Sequence, residues 1–164
     1  WLNIHKLLYF YLYYQDLLQM SDVHDKATRS YNMSRIKGKN TKPEVLVRKF
    51  LFHNGYRYRI NYSKLPGKPD IVLPKYNTVI FIHGCFWHAH ENCEYFVLPK
   101  TNTEFWKAKL NGNKEKDKEN ISMLKKEGWN VVVIWECQLK CKNYISTLEN
   151  LISYLKSKSH DKKH

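Results

Sequence analysis

A chain of 164 residues with 43% apolar content has material for one domain with its own core. Its 28 Lys and Arg against 15 Asp and Glu leave a net charge of +13, which excludes an acidic protein and calls for an anionic partner or a solvated face. The 15% aromatic content favours nucleic acid in that role, because rings stack on bases.

Residues 1–20 are apolar and aromatic but too short and too polar at their ends to cross a bilayer, and no cleavable signal is readable in them. Met20 precedes a hydrophilic stretch and reads as a natural start, so 1–20 is expected to be translated upstream sequence or an accessory helix outside the core fold. Residues 21–42 are polar and basic, with Lys26, Arg29, Arg35, Lys37, Lys39 and Lys42, and read as an arm or short helix laid on phosphates.

A single domain is expected over 43–158, with a basic tail at 159–164. Thr41-Lys42-Pro43-Glu44 opens its first helix, with Thr41 as cap, Glu44 in capping-box position and Gly55 as the stop. Glu44 has a second reading as a carboxylate held near a metal. Tyr56–Tyr62 alternates as a strand should. Leu65-Pro66-Gly67-Lys68-Pro69 then turns the chain into a second strand, Asp70–Leu73. Thr78–Ile82 is short, β-branched and apolar, a buried third strand. Beyond it a helix start is expected at Thr103, a polar helical stretch over 114–127, a fourth strand at Trp129–Trp135 and a last amphipathic helix through Ile145–Leu155. These elements predict an α/β layered domain with a mixed sheet flanked by helices.

The chemistry concentrates where the third strand ends, in His83-Gly84-Cys85-Phe86-Trp87-His88-Ala89-His90-Glu91-Asn92-Cys93. Cys85, His90 and Cys93 are soft or borderline ligands at short spacing, and Cys137 or Cys141 can complete a tetrahedral structural zinc site. With four cysteines, histidines among them and no signal, metal binding in a reducing, intracellular compartment is favoured over a disulfide framework. Asp70 after Pro69 serves a turn in isolation. Beside two histidines at a neighbouring strand end, it reads instead as a magnesium carboxylate, with a backbone carbonyl, water and phosphate oxygens completing the shell. Histidine as a residue type titrates near neutrality, so His83 and His88 are candidates to take a proton from an attacking water or steady a developing charge. Phe86, Trp87 and Trp106 are rings that belong either in a core or between base pairs, where they would unstack and kink a duplex.

These residues resemble a known family, the very-short-patch-repair endonucleases. The likeness runs from Ser21 to Lys140 and is carried by Asp22–Ser30, Leu65-Pro66-Gly67-Lys68-Pro69-Asp70, His83-Gly84-Cys85-Phe86-Trp87-His88, Thr103-Glu104-Phe105-Trp106 and Trp135-Glu136-Cys137. The resemblance implies a restriction-endonuclease-like fold of the PD-(D/E)xK type. It implies a Mg²⁺-dependent nick 5′ of the thymine in T:G mismatches left by 5-methylcytosine deamination. By position it makes Asp70 and the Ile82 carbonyl the magnesium ligands and His88 the general base, with His83 and Glu44 in support. Cys85, His90, Cys93 and Cys137 become the zinc set. Phe86, Trp87 and Trp106 become the wedge, and Asn113 and the basic arm (Lys26, Arg29, Arg35) contact DNA. The expected setting is a monomer in the bacterial cytoplasm at the nucleoid, independent of membranes, with stimulation by a mismatch-repair protein left open. Two departures stand out: Ile82 replaces a threonine of well-known members, and the His90–Cys93 stretch is one residue longer than in some.

Overall fold

The computed structural model describes residues 25–36, 38–140 and 144–160, the side chains of 26, 29, 32, 159 and 160 excepted. The expected extension over 1–20, Lys37, Cys141 and the end of the tail fall outside the described residues, as do the Lys26 and Arg29 side chains.

The order is α1 (Lys26–Ser34), α2 (Lys42–His53), β1 (Arg59–Ile60), β2 (Ile71–Leu73), a 3₁₀ turn (Pro74–Tyr76), β3 (Thr78–His83), α3 (Thr103–Lys126), β4 (Asn130–Trp135), α4 (Glu136–Lys140) and α5 (Tyr144–His160). The sheet runs β1-β2-β3-β4, antiparallel for the first two pairings and parallel for β3 with β4, so it is mixed and the fold is α/β.

Side chains alternate across a strand, so each strand feeds both faces. Ile71, Leu73, Ile80 and Ile134 pack with Val47 and Leu51 of α2 and with Leu148, Leu151, Ile152 and Leu155 of α5. Val72, Val79 and Phe81 turn the other way, onto Leu124 and Ile121 of α3. His83 continues the Val79–Phe81 face and Trp135 the Val131–Val133 face, so both point to the α3 side.

Two of the expected elements changed. The strand expected over Tyr56–Tyr62 shrinks to Arg59–Ile60, because its partner β2 has only three residues before Pro74, and Asn61 takes a left-handed φ of 46°. Tyr56 is instead buried in the core. The two helical stretches expected around 103 and 114–127 are one helix, α3, of 24 residues. Trp106, Leu110, Asn113, Asp117, Ile121 and Leu124 recur along it at three- and four-residue steps, a continuous inward face that Gly112 does not interrupt. The short α4 follows β4 at once, with Gln138 Oε1 accepting the Trp135 N–H at 2.8 Å.

At α2, Thr41 is the N-cap residue, yet its hydroxyl makes no cap bond to the backbone. It donates instead to Glu44 Oε1 at 2.8 Å, while Glu44 Oε2 accepts the Asn40 N–H at 2.9 Å.

Candidate functional site

Sheet register assembles the site. Antiparallel pairing of Ile71 with Ile80 puts Asp70, just ahead of β2, beside the end of β3. Parallel pairing of His83 with Trp135 brings the exits of β3 and β4 side by side. The start of one strand and the ends of two others thus meet at one edge.

Asp70 accepts the Ile82 N–H through Oδ2 at 2.7 Å. Its pKa is raised from 3.8 to about 6, first by burial, with the Ile82 bond and the Arg48 charge pulling the other way. A desolvated carboxylate held by a backbone donor, with no cation in contact among the described residues, is the chemical setting a hard divalent ion would relieve.

His83 and His88 lie face to face, rings 3.8 Å apart and 5° from parallel. His83 is 6% exposed, and burial, reinforced by His88, lowers its pKa to about 4, so it is neutral near physiological pH. His88 Nδ1 sits 2.6 Å from Asp117 Oδ2. Asp117 was not among the residues singled out from sequence. Nothing near it in the chain marks it, and only its place on the inward face of α3, seven residues after Leu110, could have pointed there.

A second cluster lies beside the first. The ligand atoms of Cys85, His90, Cys93 and Cys137 all fall within 4.8 Å of one another, with His90 Nδ1 3.5 Å from Cys137 Sγ. Burial pushes the Cys85 and Cys137 thiols upward and lowers His90. Neutral thiols and a neutral imidazole gathered so closely make a donor set suited to a thiophilic metal, whose charge would drive the thiols to thiolate. The connecting loop closes tightly, with Ala89 and Asn92 at left-handed φ of 47° and 56°.

Phe86, Trp87 and Trp106 form a half-buried triangle, with ring centroids 5.1, 5.4 and 6.1 Å apart. Asn113 Nδ2 donates to the Trp87 carbonyl at 2.9 Å, fastening the triangle's loop to α3. Phe105, 60% exposed, extends the cluster outward against Trp106. Arg35 lies apart on the arm, its guanidinium 5.7 Å from the Tyr31 ring. Glu44 is buried and paired with Arg48 at 2.7 Å. Among the described residues no helix is long and apolar enough to cross a membrane.

Residues 21–95 match a family model described as DNA mismatch endonuclease Vsr. The chain is 54% identical over 123 residues to the type II nicking enzyme V.NmeAIP of Neisseria meningitidis, an overlap covering 75% of this chain and 87% of that one. It is 47% identical over 121 residues to the DNA mismatch endonuclease Vsr of Escherichia coli K12, covering 74% and 77%. With the type II nicking enzyme V.XorIIP of Xanthomonas oryzae it shares 42% over 120 residues, covering 73% and 88%.

Proposed function

The chain belongs to the Vsr family of DNA mismatch endonucleases, and from that premise we propose that it makes a Mg²⁺-dependent nick in duplex DNA on the 5′ side of the thymine of a T:G mismatch. The observation that carries the proposal is the convergence of the Asp70 carboxylate with a His88–Asp117 pair at one sheet edge. Asp70 and the Ile82 carbonyl would hold Mg²⁺, which when bound supplies Lewis-acid stabilisation of the charge that builds on the phosphate.

The proton work falls to the protein. Asp117 accepts from His88 Nδ1, which selects the tautomer with Nε2 bare, the form able to take a proton from water. His83 is the floor: buried and neutral, it holds the His88 ring by stacking without adding a second positive charge. Glu44 supports the centre from α2 as the buried partner that holds Arg48 and the Asn40 backbone in place. Zn²⁺ at Cys85, His90, Cys93 and Cys137 would be structural, pinning a loop with little core of its own. The Phe86–Trp87–Trp106 triangle is suited to entering a stack already weakened by a mismatch, while Asn113, Arg35 and the basic arm, with Lys26 and Arg29, engage the duplex.

Duplexes identical but for T:G, T:A or C:G at one position, incubated with Mg²⁺ present or omitted, test this directly. Cutting just 5′ of the T in T:G alone, and only with Mg²⁺, is expected. Equal cutting of all three would make the enzyme an endonuclease without mismatch selectivity, and tight binding without cutting would make it a DNA-binding module. Trp87→Ala should bring the T:G over T:A preference close to unity while leaving the cut Mg²⁺-dependent.

A further inference from the structure

Arg48 is a buried guanidinium, 7% exposed, on the face of α2 that looks toward the sheet. Its Nη1 donates to Asn40 Oδ1 at 2.7 Å and its Nη2 to Glu44 Oε2 at 2.7 Å. Its Nε–H is buried with no acceptor among the described residues. Glu44, 4% exposed, already accepts the Asn40 N–H and the Thr41 hydroxyl, so its two oxygens receive three donors in all. A carboxylate so fully engaged is poorly placed to ligate a cation as well.

Stability alone explains this arrangement weakly. A buried ion pair generally does no better than an apolar pair of the same volume, and an orphan N–H makes it worse. The pair lies against the site: Val47 and Leu51, which flank Arg48 on its helix, pack in one core cluster with Ile71, the residue after Asp70, and both charges reach that carboxylate. It also acts on the arm. Asn40 stands between α1 and α2 in a left-handed conformation, φ 55°, and offers both its N–H and its side-chain oxygen to the same two residues.

We propose that Arg48 is a positioning residue of the nicking centre: by neutralising Glu44 it keeps a second negative charge from acting beside Asp70, and by clamping Asn40 it holds the root of the N-terminal arm on the same helix. The inference rests on the reading of Asp70 as the metal carboxylate. Without Arg48, Glu44 becomes a second negative charge near Asp70, which draws a divalent ion more strongly while displacing it from the position that turns over. Without Glu44, Arg48 repels the ion.

The test uses the full-length zinc-loaded protein without DNA, with Mn²⁺ as probe and free Mn²⁺ read by its spin-resonance signal. Nicking kinetics and melting are measured alongside. Arg48→Met should bind Mn²⁺ about tenfold more tightly and Glu44→Gln about tenfold more weakly, as expected for one unit charge at an intermediate dielectric. The double variant should return to within about threefold of wild type, and Arg48→Lys should do the same, since each restores charge balance. For Arg48→Met, kcat should fall at least about tenfold with KM for DNA little changed. A merely structural role would lower the melting temperature of Arg48→Met and leave Mn²⁺ affinity unmoved, which would overturn the proposal. If Arg48→Met does not fold, the Glu44→Gln protein decides: unchanged Mn²⁺ affinity there overturns it equally. Asp70→Ala is the control on the premise. If that variant binds Mn²⁺ as wild type does, the metal reading of Asp70 fails, independently of Arg48.

Discussion

Asp70 is buried against its own charge, and that has a measurable consequence in the absence of a divalent ion. Its pKa rises from 3.8 to about 6 on folding, with burial the leading cause. The folded state therefore holds this proton more tightly than the unfolded chain does. Stability is highest while both states are protonated, declines as pH rises through the window between the two values, and the loss is complete above the folded pKa. A shift of this size corresponds to about 3 kcal/mol, of which about half is already lost near pH 5. Asp70→Asn keeps an oxygen for the Ile82 N–H and removes the charge. In Mg²⁺-free buffer near pH 8 the variant should therefore be more stable than wild type by about 3 kcal/mol, or roughly 6–12 °C in melting temperature for a chain of this size. Near pH 5 the gap should narrow to about half. His83 adds a slope of opposite sign, since its folded pKa of about 4 makes stability fall as pH drops below its ordinary value of 6.5. That slope is common to both proteins and cancels in the difference. The assay is urea unfolding of the two proteins across this pH range at matched metal content. Parallel curves, or a less stable Asp70→Asn, would refute the idea that the centre stores an uncompensated carboxylate. The same variant should not nick.

Asp117→Asn should lower kcat by about a hundredfold to a thousandfold with KM for the duplex nearly unchanged, because a neutral amide no longer enforces the His88 tautomer; single-turnover nicking measures it. Cys93→Ser should lose zinc by atomic absorption, and excess zinc, at about a hundred times its Kd, should raise stability by about 2.7 kcal/mol in wild type alone. Gly67→Ala should destabilise by about 1–2 kcal/mol in a melting experiment, because Gly67 sits at φ 70° and an added Cβ would meet the Asn120 side chain at 3.0 Å.

What the chain declares openly is what lies close together in it. Cys85, His90 and Cys93 fall within nine residues of one another, so their candidacy as ligands is visible before any folding, and only the fourth member of the cluster, Cys137, needs the sheet. The strands β3 and β4 are legible because continuous β-branched runs have few other uses. Asp117 is hidden for the opposite reason. It stands among lysines and glutamates on a helix whose mean character is polar, and its inward direction emerges only once Trp106, Leu110 and Leu124 fix which side of α3 faces the sheet. Glu44 shows a third kind of limit. Its capping-box position is readable, but the donors that occupy it come from Asn40 and Arg48 as well as Thr41, and no short-range pattern requires that meeting.

The two clusters at the sheet edge are mechanically one structure. His88 lies on His83 at 3.8 Å, the His83 ring meets Trp135 edge-on at 5.3 Å, and Trp135 lies on His90 at 3.9 Å. The column exists because parallel register sets His83 beside Trp135, and because the Cys85–Cys93 loop folds back far enough to lay His90 on the indole. Trp135 thus stands between the Cys/His cluster on one side and the His83–His88 stack on the other, a separation that would suit ions of different character under the proposed assignment. It also gives the Cys/His cluster a second office. The height of His90 sets the indole, the indole bounds His83, and His83 carries the ring that must meet Asp117. In the proposed mechanism hydrogen bonding to Asp117 selects which nitrogen of His88 is bare, while packing from below fixes where the ring lies.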